Sequence, residues 1–295
     1  MIDLHTHSIH SDGKYSACEL LELAEDAGLS MLSITDHNAI GAYFELMEMR
    51  PRGVFGGRII SGIEYTTTFH GEVIEILGYG FDVLKMNELM KGRILTFEEK
   101  QKREFELIYD KYKKTGLTFN EDNLSFDAVK GTSRGTFWRE IIKYPENRKF
   151  FCDERSLSMP GVFTRQEVYN PKSKLFVDES SLFLSLSETV DLIHKCGGKA
   201  FLAHLFVYSQ TIPEHIEEIL DSCDLDGLEC VYPVFSDEQR FFVSDLCRRR
   251  GLLTSGGSDF HGTNPAKKIG VHEGGFAVDE SLVKDWIDGL EPFVI

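Results

Sequence analysis

The sequence predicts an α/β barrel interrupted by a helical insertion. Short apolar segments alternate with amphipathic helical segments in both end regions of the 295-residue chain, as expected of repeated strand and helix units. Several predicted strands run directly into histidine or carboxylate residues. Because an α/β barrel carries its active site at the carboxyl ends of its strands, this placement fits a barrel with a site at that edge.

Three strands are predicted in the first part of the chain, and each ends at polar residues that could bind a metal ion. They are Ile2–Leu4 before His5, Met31–Thr35 before Asp36-His37, and Arg58–Ile63 before Glu64. Between the first two strands, Ser16 with Glu19 forms a capping box, which predicts the start of a helix. Gly28 is placed to end that helix.

The next segment predicts a β-hairpin. Two alternating stretches, Tyr65–Phe69 and Glu72–Tyr79, flank His70-Gly71, which fits a two-residue turn. In this register Thr66 lies opposite Glu75, and Glu64 shares a face with Glu75. The hairpin therefore offers Glu75 to a site that contains Glu64, whereas His70 lies at the tip, about 20 Å away at ~3.3 Å per residue.

A mainly helical insertion is predicted from residue 86 to 185. Long charged stretches predict helices at Phe97–Lys114 and Arg134–Lys143, and residues 150–183 show no pattern that defines a topology. The expected organisation is a discontinuous barrel domain, residues 1–85 and 186–295, with residues 86–185 as a subdomain that caps the site.

Strands and helices alternate again after the insertion. The predicted strands are Lys199–Ala203 before His204, Gly227–Val231, and Leu252–Ser255 before Asp259 and His261. The first predicted helix is capped by Ser187 and runs to Cys196, and the second has Pro213 in its first turn and runs to Ser222. The third begins at a Ser236/Gln239 capping box and ends at Arg250-Gly251, and the last is Glu280–Gly289.

Composition limits the classes of function. The formal net charge is −16, which disfavours a stable nucleic-acid complex, because binding along a phosphate backbone requires cationic surface. No apolar run reaches the ~18 residues of a membrane span, and the first ten residues are too polar for a signal peptide. The six cysteines are scattered without a C-x-x-C pair, which favours reduced thiols without a metal role. We expect a cytoplasmic protein with no membrane partner; the oligomeric state is open.

The strand-end candidates together predict a metal site. They are His5, His7, Asp12, His37, Glu64, Glu75, His204, Asp259 and His261. Imidazole and carboxylate ligands without thiolate suit zinc, manganese or iron, and nine ligands are enough for two or three ions. His10 is expected in a loop near this site, while His70, His194, His215 and His272 are expected to be structural or surface residues.

The motifs resemble those of the PHP (polymerase and histidinol phosphatase) superfamily, especially its stand-alone metal-dependent phosphoesterases. They occur in family order from residue 2 to about 270: His5-Thr6-His7-Ser8, Ser11-Asp12-Gly13, Thr35-Asp36-His37, Gly62-Ile63-Glu64, Ile76-Leu77-Gly78-Tyr79, Leu202-Ala203-His204 and Gly257-Ser258-Asp259-Phe260-His261-Gly262.

The resemblance implies a distorted seven-stranded, TIM-like β/α barrel with a trinuclear metal site. One ion would be held by His5, His7, Glu64 and Asp259. Glu64 would bridge to a second ion held also by His204 and Glu75. Asp12, His37 and His261 would hold the third. Of these residues, Glu64, Asp259 and His204 are expected to carry catalysis.

Two positions depart from the family pattern. Glu75 stands where the family usually has histidine. The change adds negative charge, and it is expected either to shift metal preference towards manganese or iron or to weaken the second site. Ser133-Arg134-Gly135-Thr136 replaces the usual Gly-Arg-Pro-His. Arg134 is therefore a candidate for bidentate phosphate binding, with an ordinary helix salt bridge as the alternative.

The predicted function is hydrolysis of a small phosphomonoester by metal-activated hydroxide attack at phosphorus. A mononucleotide or nucleoside bisphosphate is the favoured substrate. The alternatives are histidinol phosphate or a sugar phosphate, short oligonucleotides, and a degenerate metal-binding module without activity. Hydrolysis of a C–N bond is disfavoured, since metallo-barrels of that class usually lack this pair of Ser-Asp-Gly and Gly-Ser-Asp-Phe-His motifs.

Overall fold

The structure is a computed structural model that describes residues 1–124, 131–208, 211–265, 267–270 and 277–294. His272, expected to be a structural or surface residue, lies outside the described residues. Within them, seven strands form one sheet: β1 Ile2–Asp3, β2 Met31–Ile34, β3 Arg58–Phe69, β4 Glu72–Tyr79, β5 Lys199–Leu202, β6 Gly227–Val231 and β7 Leu253–Gly256.

Helices connect and cover these strands. They are α1 Ala17–Asp26, α2 Gly41–Met49, α3 Val83–Met90, α4 Phe97–Thr115, α5 Ser133–Ile141, α6 Pro160–Phe163, α7 Leu186–Lys195, α8 Thr211–Glu214, α9 Ile216–Ser222, α10 Asp237–Arg250 and α11 Lys284–Ile287. No helix in these described ranges is both long enough and apolar enough to cross a membrane.

The sheet follows chain order from β1 to β7 and is mostly parallel. Only the β3–β4 and β4–β5 pairs are antiparallel. No ladder joins β7 to β1 among the described residues, although the segments that follow them meet through one parallel bridge between Thr6 and Phe260. The α/β fold with a seven-stranded sheet is confirmed, and closure into a TIM-like barrel stays a prediction.

Both faces of the sheet are covered by apolar side chains. On one face, Leu4, Leu77 and Phe201 pack with Trp286. On the other face, helices such as α1, α2, α7 and α10 supply the larger core. Because both faces are dry, polar residues are favoured mainly beyond the carboxyl ends of the strands, where the candidate ligands lie.

The hairpin has the predicted register. Thr66 pairs with Glu75, and Glu64 pairs with Leu77, so the two glutamates share a face. The turn residues His70 and Gly71 both have positive φ, +50° and +80°, as a two-residue hairpin requires.

Several predicted helix boundaries are correct and others are wrong. The Ser16 and Ser236 capping boxes are present. The cap of α7 is Ser185, with Glu188, and not Ser187, because the helix begins two residues earlier than its apolar pattern suggested. Pro213 lies inside a separate short helix, α8, because the chain turns at His215 before α9 begins.

The remaining differences concern the last helix and the insertion. The last helix is reduced to a 3₁₀ turn, Glu280–Leu282, followed by α11. Residues 108–177 contain their own apolar cluster around Tyr112, Phe137 and Phe163. The predicted boundary after residue 85 falls inside α3, and the division into domains stays a prediction.

Candidate metal centre

The structure brings all nine predicted ligand residues together at the carboxyl edge of the sheet. Each has a side-chain oxygen or nitrogen within 4.0 Å of one from another member of the set. They reach this edge because strand ends or the segments just after them supply most members, while the hairpin supplies Glu64 and Glu75. Their roles as ligands stay predictions.

A first group has the spacing of a tetrahedral metal site. Glu64 Oε2 lies 3.3 Å from both His5 Nε2 and His7 Nε2. Asp259 Oδ1 lies 3.4 Å from His5 Nε2 and 3.1 Å from His7 Nε2. Four ligands around one tetrahedral ion lie about 3.3–3.4 Å apart when each bond is about 2.0–2.1 Å long. These four histidine–carboxylate distances are therefore close to those that an ion would impose.

A second group shares Glu64 with the first. His204 Nε2 lies 3.0 Å from Glu64 Oε1 and 3.3 Å from Glu75 Oε2. His37 Nδ1 lies 3.1 Å from Glu64 Oε2 and 3.5 Å from Glu75 Oε1. Glu64 thus contacts both groups, with Oε1 near His204 and Oε2 shared between His37 and the histidines of the first group, and Glu75 faces the same space.

A third group surrounds Asp12 at the solvent side. Asp12 Oδ1 lies 3.2 Å from His261 Nε2 and 3.8 Å from His7 Nδ1, and Asp12 Oδ2 lies 3.9 Å from His37 Nε2. His37 therefore has one ring nitrogen towards this group and the other towards the second group. The spacing here is wider than in the first group.

Buried polar atoms without hydrogen-bond partners support metal binding. Such atoms are found at His5 Nε2, His7 Nδ1, His7 Nε2, His37 Nδ1, Glu64 Oε2 and His204 Nδ1. A buried polar atom without a partner costs free energy, so a cluster of them indicates a missing ligand. All but His204 Nδ1 are atoms that face the groups just described, and imidazole and carboxylate are suitable donors for divalent transition metals. The residues present fit such ions.

The two shared carboxylates experience opposite electrostatic environments. Burial opposes the ionisation of Glu64, but the charges of His5 and His37 hold its pKa well below the ordinary value. Burial, together with repulsion by Glu64, raises the pKa of Glu75. Glu75 is therefore the carboxylate that most needs an added cation to become charged.

Two histidines of the centre, His204 and His261, are biased towards the protonated state in the absence of metal. Burial lowers the pKa of His204, but its hydrogen bond with Glu64 and the nearby charges outweigh this and raise it to about 9. Burial is likewise outweighed at His261, where the hydrogen bond with Asp12 raises the pKa to about 9. Metal ions would have to displace these protons.

Glu229 is a functional candidate that the sequence reading missed. It is fully buried in β6, where Oε1 lies 2.9 Å from His5 Nδ1 and Oε2 accepts a hydrogen bond from the backbone N–H of His204. The first contact favours the tautomer with hydrogen on Nδ1, which leaves His5 Nε2 free to bind a metal. A charged residue in the apolar stretch Gly227–Val231 was the available signal.

Two more carboxylates hold the loops that carry the ligands. Asp36 accepts hydrogen bonds from the N–H and hydroxyl of Ser8 and from the hydroxyl of Ser11, which fixes the loop that leads to Asp12. Asp3 accepts from the backbone N–H groups of Ser258 and Gly270.

The segment after β7 has an unusual backbone conformation. Asp259 has φ +51°, in the left-handed region that a non-glycine residue seldom adopts, at a cost of about 1–3 kcal/mol. Tyr232 donates a hydrogen bond of 2.7 Å to Asp259 Oδ2, which leaves Oδ1 towards His5 and His7. The conformation is thus maintained where it directs a carboxylate into the centre.

A cavity of about 670 Å³ lies beside the centre. Its lining includes four members of the predicted ligand set, Asp12, His37, Glu75 and His204. Residues 86–185 contribute Gln101 and Tyr169 together with the cationic residues Lys100, Arg134 and Arg165. Its volume is within the ~300–1,000 Å³ typical of small-molecule sites.

Arg134 lines this cavity but already has acidic partners. Its Nη2 donates to the buried carboxylate of Glu104 and lies 3.4 Å from Glu179 Oε2, and its guanidinium lies 4.7 Å from the centre of the Tyr169 ring. Lys100 forms no ion pair with any described residue, and its Nζ lies 4.6 Å from the centre of the Phe183 ring. Phosphate binding by Arg134 stays a prediction, and Lys100 is a cation that the sequence reading missed.

Two curated relatives align over most of the chain. A 5′-3′ exoribonuclease from Haemophilus influenzae is 28% identical over 263 residues, which are 88% of this chain and 89% of the relative. A 3′,5′-nucleoside bisphosphate phosphatase from Chromobacterium violaceum is 26% identical over 269 residues, which are 88% of this chain and 87% of the relative. No family model matches the sequence.

Two solved structures share the fold. A protein from Bifidobacterium adolescentis described as a metal-dependent phosphoesterase has a TM-score of 0.61 and 20% identity, over 98% of this chain and 96% of that one. An amidohydrolase from Chromobacterium violaceum has a TM-score of 0.63 and 23% identity, over 96% of this chain and 93% of that one. At these identities, both matches show that the fold is shared.

The chain resembles the PHP superfamily in its ordered motifs, and its curated relatives and its fold agree with that resemblance. The position before Ile-Leu-Gly is the notable departure from the family pattern. Glu75 directs its carboxylate at His204 and His37, where a histidine is usual. The predicted ligand set therefore has one more negative charge.

Proposed function

We propose that the protein is a metal-dependent hydrolase of phosphate esters. The observation that carries the proposal is the first group, in which the Nε2 atoms of His5 and His7 each lie 3.1–3.4 Å from one oxygen of Glu64 and one of Asp259. Other members of the predicted ligand set, Asp12, His37, Glu75 and His204, line a cavity that is also lined by the cationic residues Lys100, Arg134 and Arg165. A cavity that presents both metal ligands and cations suits an anionic ester.

Two or three divalent ions would be held by the three groups of ligands, with Glu64 bridging the first two. Bound there, such ions would supply the Lewis acidity that lowers the pKa of a water molecule to near neutrality and offsets charge on phosphoryl oxygens. Glu64, Asp259 and His204 are the residues that would hold these ions in position for catalysis. Glu229 and Tyr232 are positioning residues, since they fix His5 and Asp259.

The favoured substrate is a small phosphomonoester, a mononucleotide or nucleoside bisphosphate. The cavity volume supports a small molecule, and Lys100, Arg134 and Arg165 can contact phosphate oxygens away from the reacting group. The name of the Chromobacterium relative supports a bisphosphate. We further propose that residues 86–185 act as a cap, because the cationic side chains of the cavity all come from this segment.

The test is release of inorganic phosphate from a panel that contains a 3′,5′-nucleoside bisphosphate, a 5′-mononucleotide, histidinol phosphate and a sugar phosphate. Protein loaded with manganese, iron or zinc should hydrolyse the two nucleotide esters faster than histidinol phosphate or the sugar phosphate. A preparation that holds two or more equivalents of metal and releases no phosphate from any of them, at any pH, contradicts the proposal.

The second candidate is stepwise hydrolysis of short RNA from its 5′ end. It is favoured by the name of the Haemophilus relative. The net charge of −16 opposes tight binding of long RNA, but not entry of a chain end into the cavity. A 5′-phosphorylated oligoribonucleotide separates the candidates, because successive release of mononucleotides favours the nuclease and removal of terminal phosphate alone favours the phosphatase.

A non-catalytic metal-binding module is the remaining alternative, and Glu75 is the residue that would account for it. The test substitutes Glu75→His, which restores the usual ligand. An enzyme should stay active and shift its metal preference towards zinc. A module without catalytic function should remain inactive in both forms.

A further inference from the structure

A second group of potential metal ligands lies on the surface, away from the centre. Glu218 Oε1 lies 2.8 Å from His70 Nε2, and Glu218 Oε2 lies 3.1 Å from His215 Nδ1. The three side chains each offer one ligand atom within 4.8 Å of the others. They are 41–56% exposed, so solvent and ions can reach them.

The three residues come from two parts of the fold. His70 is at the tip of the β3–β4 hairpin, His215 precedes α9, and Glu218 lies in the first turn of α9. The tip is five residues from Glu75, about 16 Å at ~3.3 Å per residue, so this cluster is separate from the metal centre.

We propose that His70, His215 and Glu218 bind one zinc ion that joins the hairpin tip to α9. Two imidazoles and one carboxylate, with water in the fourth position, form a recognised zinc ligand set. Both histidines contact the same carboxylate through different oxygens, which matches a glutamate that faces one ion with both oxygens.

The charges around the cluster leave Glu218 available. Its neighbour Glu217 pairs with Arg250 at 3.0 Å, whereas no lysine or arginine among the described residues pairs with Glu218. By contrast, Asp226, which contacts His194 at 2.7 Å, also pairs with Lys199. His194 is therefore a suitable control, a histidine bonded to a carboxylate that already has a cation.

The experiment compares zinc uptake by the full chain and its variants, using equilibrium dialysis followed by elemental analysis. His70→Asn suits the positive φ and removes the imidazole, and Glu218→Gln removes the carboxylate. Each should bind one zinc fewer than the unmodified protein, while His194→Asn should bind the same number. Zinc should also raise the melting temperature less in the two cluster variants.

Equal zinc uptake by the unmodified protein, His70→Asn and Glu218→Gln would overturn the proposal. His215→Ala serves as a further variant if either of the others fails to fold. The measurement counts bound metal and not turnover, so its outcome is independent of whether the protein hydrolyses phosphate esters.

Discussion

Glu229 connects two of the candidate ligands through one buried carboxylate. One oxygen faces His5 Nδ1 and the other accepts the N–H of His204. Removal of the charge weakens both contacts, because a glutamine amide has only one accepting oxygen. Glu229 is thus expected to matter for metal binding although it is not itself a predicted ligand and acts only through His5 and His204.

We predict that Glu229→Gln lowers metal affinity or kcat/KM by about 10–100-fold, the usual effect of losing a hydrogen-bond partner of a metal ligand. Metal content after dialysis measures the change in metal affinity, and the rate of phosphate release measures the change in kcat/KM. Asp226→Asn, which alters a similar histidine contact outside the centre, should leave both values unchanged. An equal loss in the two variants would contradict a specific role.

Individual residues differ in how far the sequence could predict them. His5, Glu64 and Asp259 were predictable, because each follows or lies in an apolar stretch and belongs to a family motif. Glu229, Asp3 and Asp36 were not, since their importance depends on which backbone and side-chain donors the fold brings to them. The same holds for Arg134, whose partners Glu104 and Glu179 are 30 and 45 residues away.

At the level of elements, the hairpin was predictable and the insertion was not. Two strands of alternating residues around His70-Gly71 define a register without any other information. Residues 145–182 instead form short 3₁₀ and π segments and the four-residue helix α6, which are too short to give a periodic pattern in the sequence.

The cap of α7 gives a direct test of a corrected boundary. Ser185→Ala should lower the free energy of unfolding by about 0.5–2 kcal/mol, because its hydroxyl accepts the N–H of Glu188. Ser187→Ala, two residues on and exposed, should change it very little. Denaturant unfolding of both variants measures the difference, and equal effects would show that Ser185 is not the cap.

Arg134 links α4, α5 and the segment before Ser180–Leu182 through two buried carboxylates. Arg134→Gln should therefore destabilise the protein by about 3–5 kcal/mol, since it leaves Glu104 and Glu179 uncompensated. Lys100→Gln should cost far less and chiefly raise KM. If Arg134→Gln folds with unchanged stability, the arginine is not needed by these carboxylates and phosphate binding becomes its main role.

For the whole molecule, the metal centre should control stability as well as activity. A ligand that binds only the folded state, at a free concentration 100 times its dissociation constant, stabilises that state by about 2.7 kcal/mol. In the metal-free protein, the raised pKa values of His204 and His261 contribute stability that is fully present below about pH 6.5. This contribution is lost as the pH rises through about 9.

We predict that chelation lowers the melting temperature and that the gap between loaded and chelated protein widens from pH 6.5 to 9. The reason is that protons stabilise the metal-free form at low pH and compete with the ions. Thermal unfolding across this range measures the gap. A gap that stays constant or narrows would mean that these histidines do not bind the ions.

The placement of residue 75 on strand β4 bears on how the metal centre can evolve. Its neighbours Ile74 and Ile76 are fully buried and must stay apolar, while Glu75 points the other way and remains partly exposed. Exchange between histidine and glutamate at this one position therefore leaves the packing of β4 intact. A single substitution can therefore exchange the ligand type proposed for this position, without a compensating change in the core.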